Sequence, residues 1–197
     1  MKKTKGGVLK RAIVTPDKHF PLHDQKAINV VCKAINIVKP DIYIDLGDTG
    51  EWDLFSNHHW RKYDKPPDDL LIPMLDKSVK QVNKGMDQID KVLDKVKCKE
   101  RYFMQGNHEE WLDTYAKKYS RPRFLTQNAL KLKQRGYEFH AYNKKIPLKI
   151  GKLNFKHGHR TGMHHAKAHL AMYGESVMYG HTHDLQRHTH TSLGGTI

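Results

Sequence analysis

Apolar positions along the chain alternate between short runs and helical stripes. Val8 to Thr15 is a run closed by Pro16, which predicts a strand, and Asp24 to Val38 predicts a helix with Ala27, Val31, Ala34 and Val38 on one face. Ile42 to Leu46, closed by Gly47, predicts a buried parallel strand whose C-terminal end carries a loop. Leu71, Leu75, Val79, Val82, Met86, Ile89, Leu93 and Val96 step by 4, 4, 3, 4, 3, 4 and 3, the spacing of a long amphipathic helix that could break at Pro73 or Gly85. This stripe is expected to be core, although it is regular enough to pair between subunits. A strand from about Arg101 to Met104 and helices from Glu110 to Lys118 and Phe124 to Lys133 continue the alternation. From Tyr137 the pattern changes to short strands (Glu138 to Tyr142, Ile146 to Ile150, Leu153 to His157), a helix from His164 to Tyr173 and a strand from Ser176 to Tyr179. Alternating strands and helices predict an α/β layered fold, and the hairpin-like later texture predicts a second sheet.

No repeat or Pro/Gly/Ser-rich linker divides the 197 residues, so one domain spanning 1–197 is expected, with a helical and basic/aromatic insert at about 52–98. Composition changes this picture in two ways. The 35 Lys+Arg against 21 Asp+Glu give a formal charge of +14, which suits a polyanionic partner such as nucleic acid or a nucleotide. The 15 His exceed what packing needs and call for a chemical reading. Cys32 and Cys98 provide neither a disulfide framework nor a cysteine zinc site, which fits a reducing compartment. The basic N-terminus has no signal-peptide core, and no run approaches the roughly 18 apolar residues of a membrane span, so a cytoplasmic location without membrane association is expected.

Five short blocks follow the predicted strands, where open α/β sheets place their sites. Asp17-Lys18-His19 could converge a carboxylate and an imidazole on one ion, since residues i and i+2 of an extended segment point to the same side; a surface turn is the plain alternative. In Gly47-Asp48-Thr49-Gly50-Glu51 the Asp has no obvious packing purpose, and its two oxygens could serve two metal ions; an ordinary turn also fits. In Gly106-Asn107-His108-Glu109 the Asn offers a carbonyl ligand and His108 could face substrate, against an N-cap Asn with a surface His. His157-Gly158-His159 and Gly180-His181-Thr182-His183 each present imidazoles at i and i+2, or are polar loops.

Taken in order, the five blocks resemble the calcineurin-like metallophosphoesterase family, whose signature runs D-x-H, GD-x-x-D, GNH-E/D, H-G-H and GH-x-H. The resemblance implies a four-layer α/β/β/α sandwich of two mixed sheets, with a dinuclear metal site at strand C-terminal ends. It implies that Asp17, His19, Asp48 and His183 hold one ion and Asp48, Asn107, His157 and His181 the other, with Asp48 as the bridge. Such donors suit Mn²⁺, Fe or Zn²⁺ better than Ca²⁺ or Mg²⁺ without selecting among the three; Mn²⁺ is the metal expected first, with Fe, Zn²⁺ or Ni²⁺ as the other candidates. Two ions about 3.5–4 Å apart acidify a bridging water and clamp phosphate oxygens for in-line attack, and His108 would act as general acid. Asn107 is an expected substrate contact, His159 resembles the position that supports the site or contacts substrate, and Arg160 just after it could contact phosphate or be a solvated loop residue.

Two departures bear on the substrate. Glu51 stands where the family's second Asp is usual, and Trp52-Asp53 follow where the protein-phosphatase branch has an Arg that grips phosphate. The resemblance is therefore closer to the phosphodiesterase and DNA-repair exonuclease branch. Trp52, His58, His59, Trp60, Arg61, Lys62, Tyr63 and Lys65 could stack bases and hold phosphates, or the aromatics could simply cap the core. Lys117, Lys118, Arg121 and Arg123 could extend a basic track, or form a solvated face. The expected activity is phosphodiester hydrolysis on nucleic acid or nucleotides. A phosphomonoesterase acting on a small substrate or phosphoprotein, and a non-catalytic nucleic-acid-binding module with a structural metal, are the alternatives.

Overall fold

The computed structural model describes residues 9–56, 66–142, 146–192 and 195–197. Its elements run β1 (Ala12–Thr15), α1 (Gln25–Val38), β2 (Ile42–Asp45), α2 (Asp68–Lys95), β3 (Glu100–Met104), α3 (Asn107–Lys118), α4 (Thr126–Ala129), β4 (Tyr137–His140), β5 (Leu148–Ile150), β6 (Leu153–Lys156), α5 (His165–Tyr173), β7 (Val177–Tyr179), β8 (Thr191–Ser192) and β9 (Gly195–Thr196). The architecture is α/β. One sheet has the order β1-β2-β3-β4 and the other β5-β6-β7, with β8 and β9 forming a small hairpin.

The first sheet is parallel throughout these four strands, which corrects the expectation of two mixed sheets. β4 belongs to it, pairing Tyr137 with Arg101 and His140 with Met104, rather than opening the second sheet as the sequence pattern suggested. Only the second sheet is mixed, with β5 antiparallel and β7 parallel to β6. β2 shows why the first sheet sits between layers: its side chains alternate across the strand. Tyr43 joins the helix-side core with Ile35, Leu75 and Phe103, while Ile42, Ile44 and Leu46 meet Phe155 and the partly buried Leu148, Ile150 and Leu153 of the second sheet. Each fully buried Ile or Leu contributes about 1.5–3 kcal/mol.

The stripe of α2 is core, with Leu71, Leu75, Val82, Met86, Ile89 and Leu93 buried. The helix breaks at neither Pro73 nor Gly85. Pro73 lies near the start and forgoes one N–H bond. Gly85 admits the ring of Phe20: a Cβ there would lie 2.3 Å from Phe20 Cδ1. The helix of the insert thus seats the residue that follows His19. On α1, Asp24 caps the N-terminus by accepting from the Lys26 N–H at 2.7 Å. Its buried face is set by Ile28 and Ile35, with Val31 and Cys32 packed beside them, rather than by Ala27 and Ala34, because the larger branched side chains have more surface to remove from water. The helix expected from Phe124 to Lys133 is cut down to α4, and Lys131 turns left-handed at φ 54°.

Candidate metal centre

Each of the five blocks leaves the C-terminal end of a strand: β1, β2 and β3 in the first sheet, β6 and β7 in the second. Packing of the two sheets against each other brings these ends together. Ligating atoms of Asp17, His19 and His183 lie within 4.8 Å of one another, as do those of Asp48, His157 and His181, and those of His19, Asp48 and His108. Asn107 joins the second group, with its Oδ1 2.9 Å from His157 Nε2. The same nitrogen is 3.1 Å from Asp48 Oδ2 and 3.2 Å from His181 Nδ1. All seven expected ligands therefore meet in one place.

The route differs from the extended-segment geometry read from the sequence. Asp17, His19, Asp48, His181 and His183 all have positive φ, at 47°, 48°, 46°, 78° and 56°. Left-handed backbone at a non-glycine residue persists only where surrounding structure over-determines it, and such residues cluster at functional sites. It is these tight turns, and not strand pleating, that aim the side chains. Gly106 is needed because Asp48 passes over it: a Cβ there would lie 2.2 Å from Asp48 Oδ1.

Two groups that the sequence did not single out hold these turns. Glu109 is fully buried and accepts N–H bonds from Asp48 (2.9 Å), Thr49 (2.9 Å), Gly50 (3.1 Å) and Gly106 (3.0 Å). Burial and the charge of Asp48 push its carboxyl up, and the bonds from the backbone oppose them. Lys18, the unassigned middle residue of the first block, donates to Asp45 Oδ1 at 2.7 Å in a buried pair, and that oxygen also accepts from Gly47 N–H and the Thr49 hydroxyl. The readable signal was Asp45 itself, a charge at the end of an apolar run.

The donor set fits a cation. His157 Nδ1 lies 2.9 Å from the Leu46 carbonyl, so that nitrogen donates and Nε2 turns toward Asp48, Asn107 and His181. His19 repeats the pattern: Nδ1 donates to Glu51 Oε2 at 3.0 Å and Nε2 faces His183 Nε2 at 3.2 Å. Metal-binding histidines are typically tied back in this way by a carbonyl or carboxylate. Burial would lower the His157 imidazole, but the hydrogen bond to Asp48 and the charges of Asp48 and Asp17 outweigh it and raise it. Burial would raise Asp48, but His157 and His108 hold it down at about 2. Burial together with the charge of His157 lowers His181. The site therefore draws positive charge to one spot.

His108 stands beside this set with its Nδ1 3.1 Å from Glu51 Oε1. The Trp52 N–H approaches the same nitrogen at 3.4 Å; we assign the proton to Nδ1 because the carboxylate is the closer and stronger partner. Burial would lower His108, but the hydrogen bond to Glu51 and the charge of Asp48 raise it. Burial would raise Glu51, but hydrogen bonds from His108 and His19 hold it well below the carboxylate range. Glu51 thus orients two imidazoles at once.

The expected substrate contacts are placed less tightly. The His159 ring packs edge-on against His169 at 5.1 Å and is not among the converging groups, and Arg160 is exposed. Trp52 is buried in the core, which removes it from any base-stacking surface. His58, His59, Trp60, Arg61, Lys62, Tyr63 and Lys65 lie outside the described residues. Arg121 pairs with Asp68 at 2.7 Å and Arg123 with Asp76 at 3.3 Å, so part of the second basic cluster is neutralised. No helix among the described residues is long and apolar enough to cross a membrane. The chain matches no protein-family model and none of the curated proteins.

Proposed function

We propose that the chain is a metal-dependent phosphoester hydrolase of the calcineurin-like metallophosphoesterase kind, acting as a phosphodiesterase on nucleic acid or nucleotides. The observation that carries this reading is the convergence of Nε2 of His157 and His19, each tied back through Nδ1, on seven candidate ligands beside a His108 held by Glu51. Asp17, His19, Asp48 and His183 would hold one ion and Asp48, Asn107, His157 and His181 the second; Mn²⁺ is the expected metal, and Fe, Zn²⁺ or Ni²⁺ suit the same donors. When bound, the ions supply Lewis acidity toward phosphate oxygens and lower the pKa of water at the site. Glu51 keeps the proton on His108 Nδ1, which leaves Nε2–H to protonate the leaving oxygen. Arg160 would meet the phosphate from the rim. We also read the layers as a four-layer sandwich, with α1 and α2 outside the first sheet and α5 outside the second. The buried Ala166 and Leu170 of α5 support this.

The test is turnover in Mn²⁺ of bis-p-nitrophenyl phosphate, p-nitrophenyl phosphate, and single- and double-stranded DNA. Hydrolysis of the diesters with little of the monoester is expected. Turnover of the monoester only would overturn the phosphodiesterase assignment. Salt-sensitive DNA binding without turnover in any divalent metal would replace it with a binding module.

A further inference from the structure

The second sheet brings three of the seven candidate ligands, yet its own core is slight. β5 to β7 are three strands of three or four residues, and His181 and His183 both have positive φ on the loop after β7. Asp17 accepts the His181 N–H at 2.9 Å and the His157 carbonyl accepts the Gly180 N–H at 2.8 Å, which leaves the two ends of that loop to be held from elsewhere. α5, which packs against β7, carries two buried histidines outside the ligand set, His165 at 4% exposure and His169 at 0%.

His169 Nδ1 lies 2.9 Å from the His165 carbonyl and so donates, while Nε2 accepts the His159 N–H at 3.3 Å. Its ring lies flat on Tyr179, with centroids 3.9 Å apart and planes at 28°. The imidazole thus grips the backbone two residues after His157 and the last residue of β7. His165 grips the other loop at both ends: Nδ1 is 2.5 Å from the Tyr179 hydroxyl, just before Gly180, and Nε2 is 3.1 Å from Asp184 Oδ2, just after His183. A neutral imidazole offers a donor and an acceptor on opposite edges of a rigid ring, which is what a clamp between two loops requires.

We propose that His165 and His169 are positioning residues that set the mutual geometry of His157, His181 and His183. This rests on the two-metal reading above. The expectation is specific: removing either imidazole disturbs metal binding although neither touches a ligand atom, as loss of supporting partners around a metal site does.

The experiment is Mn²⁺ titration calorimetry with the electron paramagnetic resonance spectrum of the loaded protein, on the parent chain, His169→Leu, His169→Gln, His165→Phe and Asp184→Ala. The parent should take two Mn²⁺ with a spin-coupled signal. Folded His169→Leu and His165→Phe should bind Mn²⁺ about 10–100-fold more weakly and show uncoupled Mn²⁺. His169→Gln, which keeps an acceptor for the His159 N–H, should recover most of the affinity. Asp184→Ala removes one arm of the clamp at a half-exposed side chain, where folding is not at risk, and should weaken binding about tenfold. Parent-like affinity and coupling in Asp184→Ala and in the folded His variants would overturn the clamp and leave the metal reading standing. A parent chain that binds no metal would overturn both.

Discussion

The loops after β1, β2 and β3 hang from buried carboxylates alone, whereas those after β6 and β7 add the imidazoles of α5 to one borrowed carboxylate, Asp17, which accepts the His181 N–H at 2.9 Å. In the first half, Glu109 collects four backbone N–H groups and Asp45 receives Lys18, Gly47 and Thr49, all beneath a parallel sheet with a large core. In the second half, scattered bonds from His165, His169, Asp17 and Tyr142 hold loops over a small sheet, and the His183 side chain is 56% exposed against 3% for Asp48. The difference teaches that one side of the site is preorganised by charge buried among N–H donors, and that the other leans also on buried rings, of which His169 is kept neutral by its burial. On the proposed function it also separates roles, because the general acid His108 lies on the rigid side, while the adjustable side would supply ligands and the phosphate contact Arg160.

That division predicts the largest effect at His108. His108→Ala should lower kcat by about 10²–10⁴-fold while Mn²⁺ affinity stays near that of the parent. A His183→Ala change on the opposite side should lose metal and activity together. Equal loss of metal in both variants would remove the proposed separation of roles.

Stability should divide the same way. Glu109→Ala strands four buried N–H donors and is expected to cost about 3–4 kcal/mol, since each unsatisfied group costs about 1–3 and water recovers part of the loss. His169→Ala removes one acceptor and one donor and should cost about 2 kcal/mol. Chemical denaturation of both variants checks the order, and a larger loss at His169 would invert the comparison.

Much of this was legible. The five blocks announced themselves because each follows an apolar run, and the α2 stripe declared a core helix. What was not legible has physical causes. β4 pairs in parallel with β3 across intervening helices, and local patterning carries no trace of such a partner. Glu109 acts on N–H groups about 60 residues away, and a backbone donor has no sequence identity. The convergence of Asp17 with His19 was anticipated, but through extended geometry, and His181 and His183 turn to different groups instead of converging; left-handed turns at ordinary residues leave no compositional mark. Ten of the 15 histidines fall at or after His140, and nothing in their spacing separated the candidate ligands from the two proposed to position them. Trp52 was ambiguous until its burial showed it to be core.

Acid offers the finest discrimination between the halves. Burial would raise Asp48, but its histidine partners hold it at about 2, so the stability it contributes is present above the ordinary carboxylate range and is lost only as pH falls through about 2. His169 shifts in the same direction, but its deprotonated form is neutral and its window lies at higher pH. Burial, helped by nearby positive charge, lowers it from 6.5 to about 4. The folded state therefore excludes a proton that the unfolded chain accepts, so this contribution is complete above about pH 6.5 and drains away as pH falls toward 4. For a fully buried ring the interval from 6.5 to about 4 corresponds to at most about 3 kcal/mol, and opening of the local structure will reduce it. Hydrogen exchange on the metal-free protein, stepped from pH 7 to 4.5 and corrected for intrinsic rates, should show α5 and the loops at 157–160 and 180–184 losing protection while β1 to β3 keep theirs. In His169→Gln, which cannot titrate, the same loops should open with little dependence on pH across that interval. If protection falls evenly in both sheets of the parent, the two halves are one cooperative unit and the contrast between buried carboxylates and buried imidazoles has no consequence for how the site comes apart.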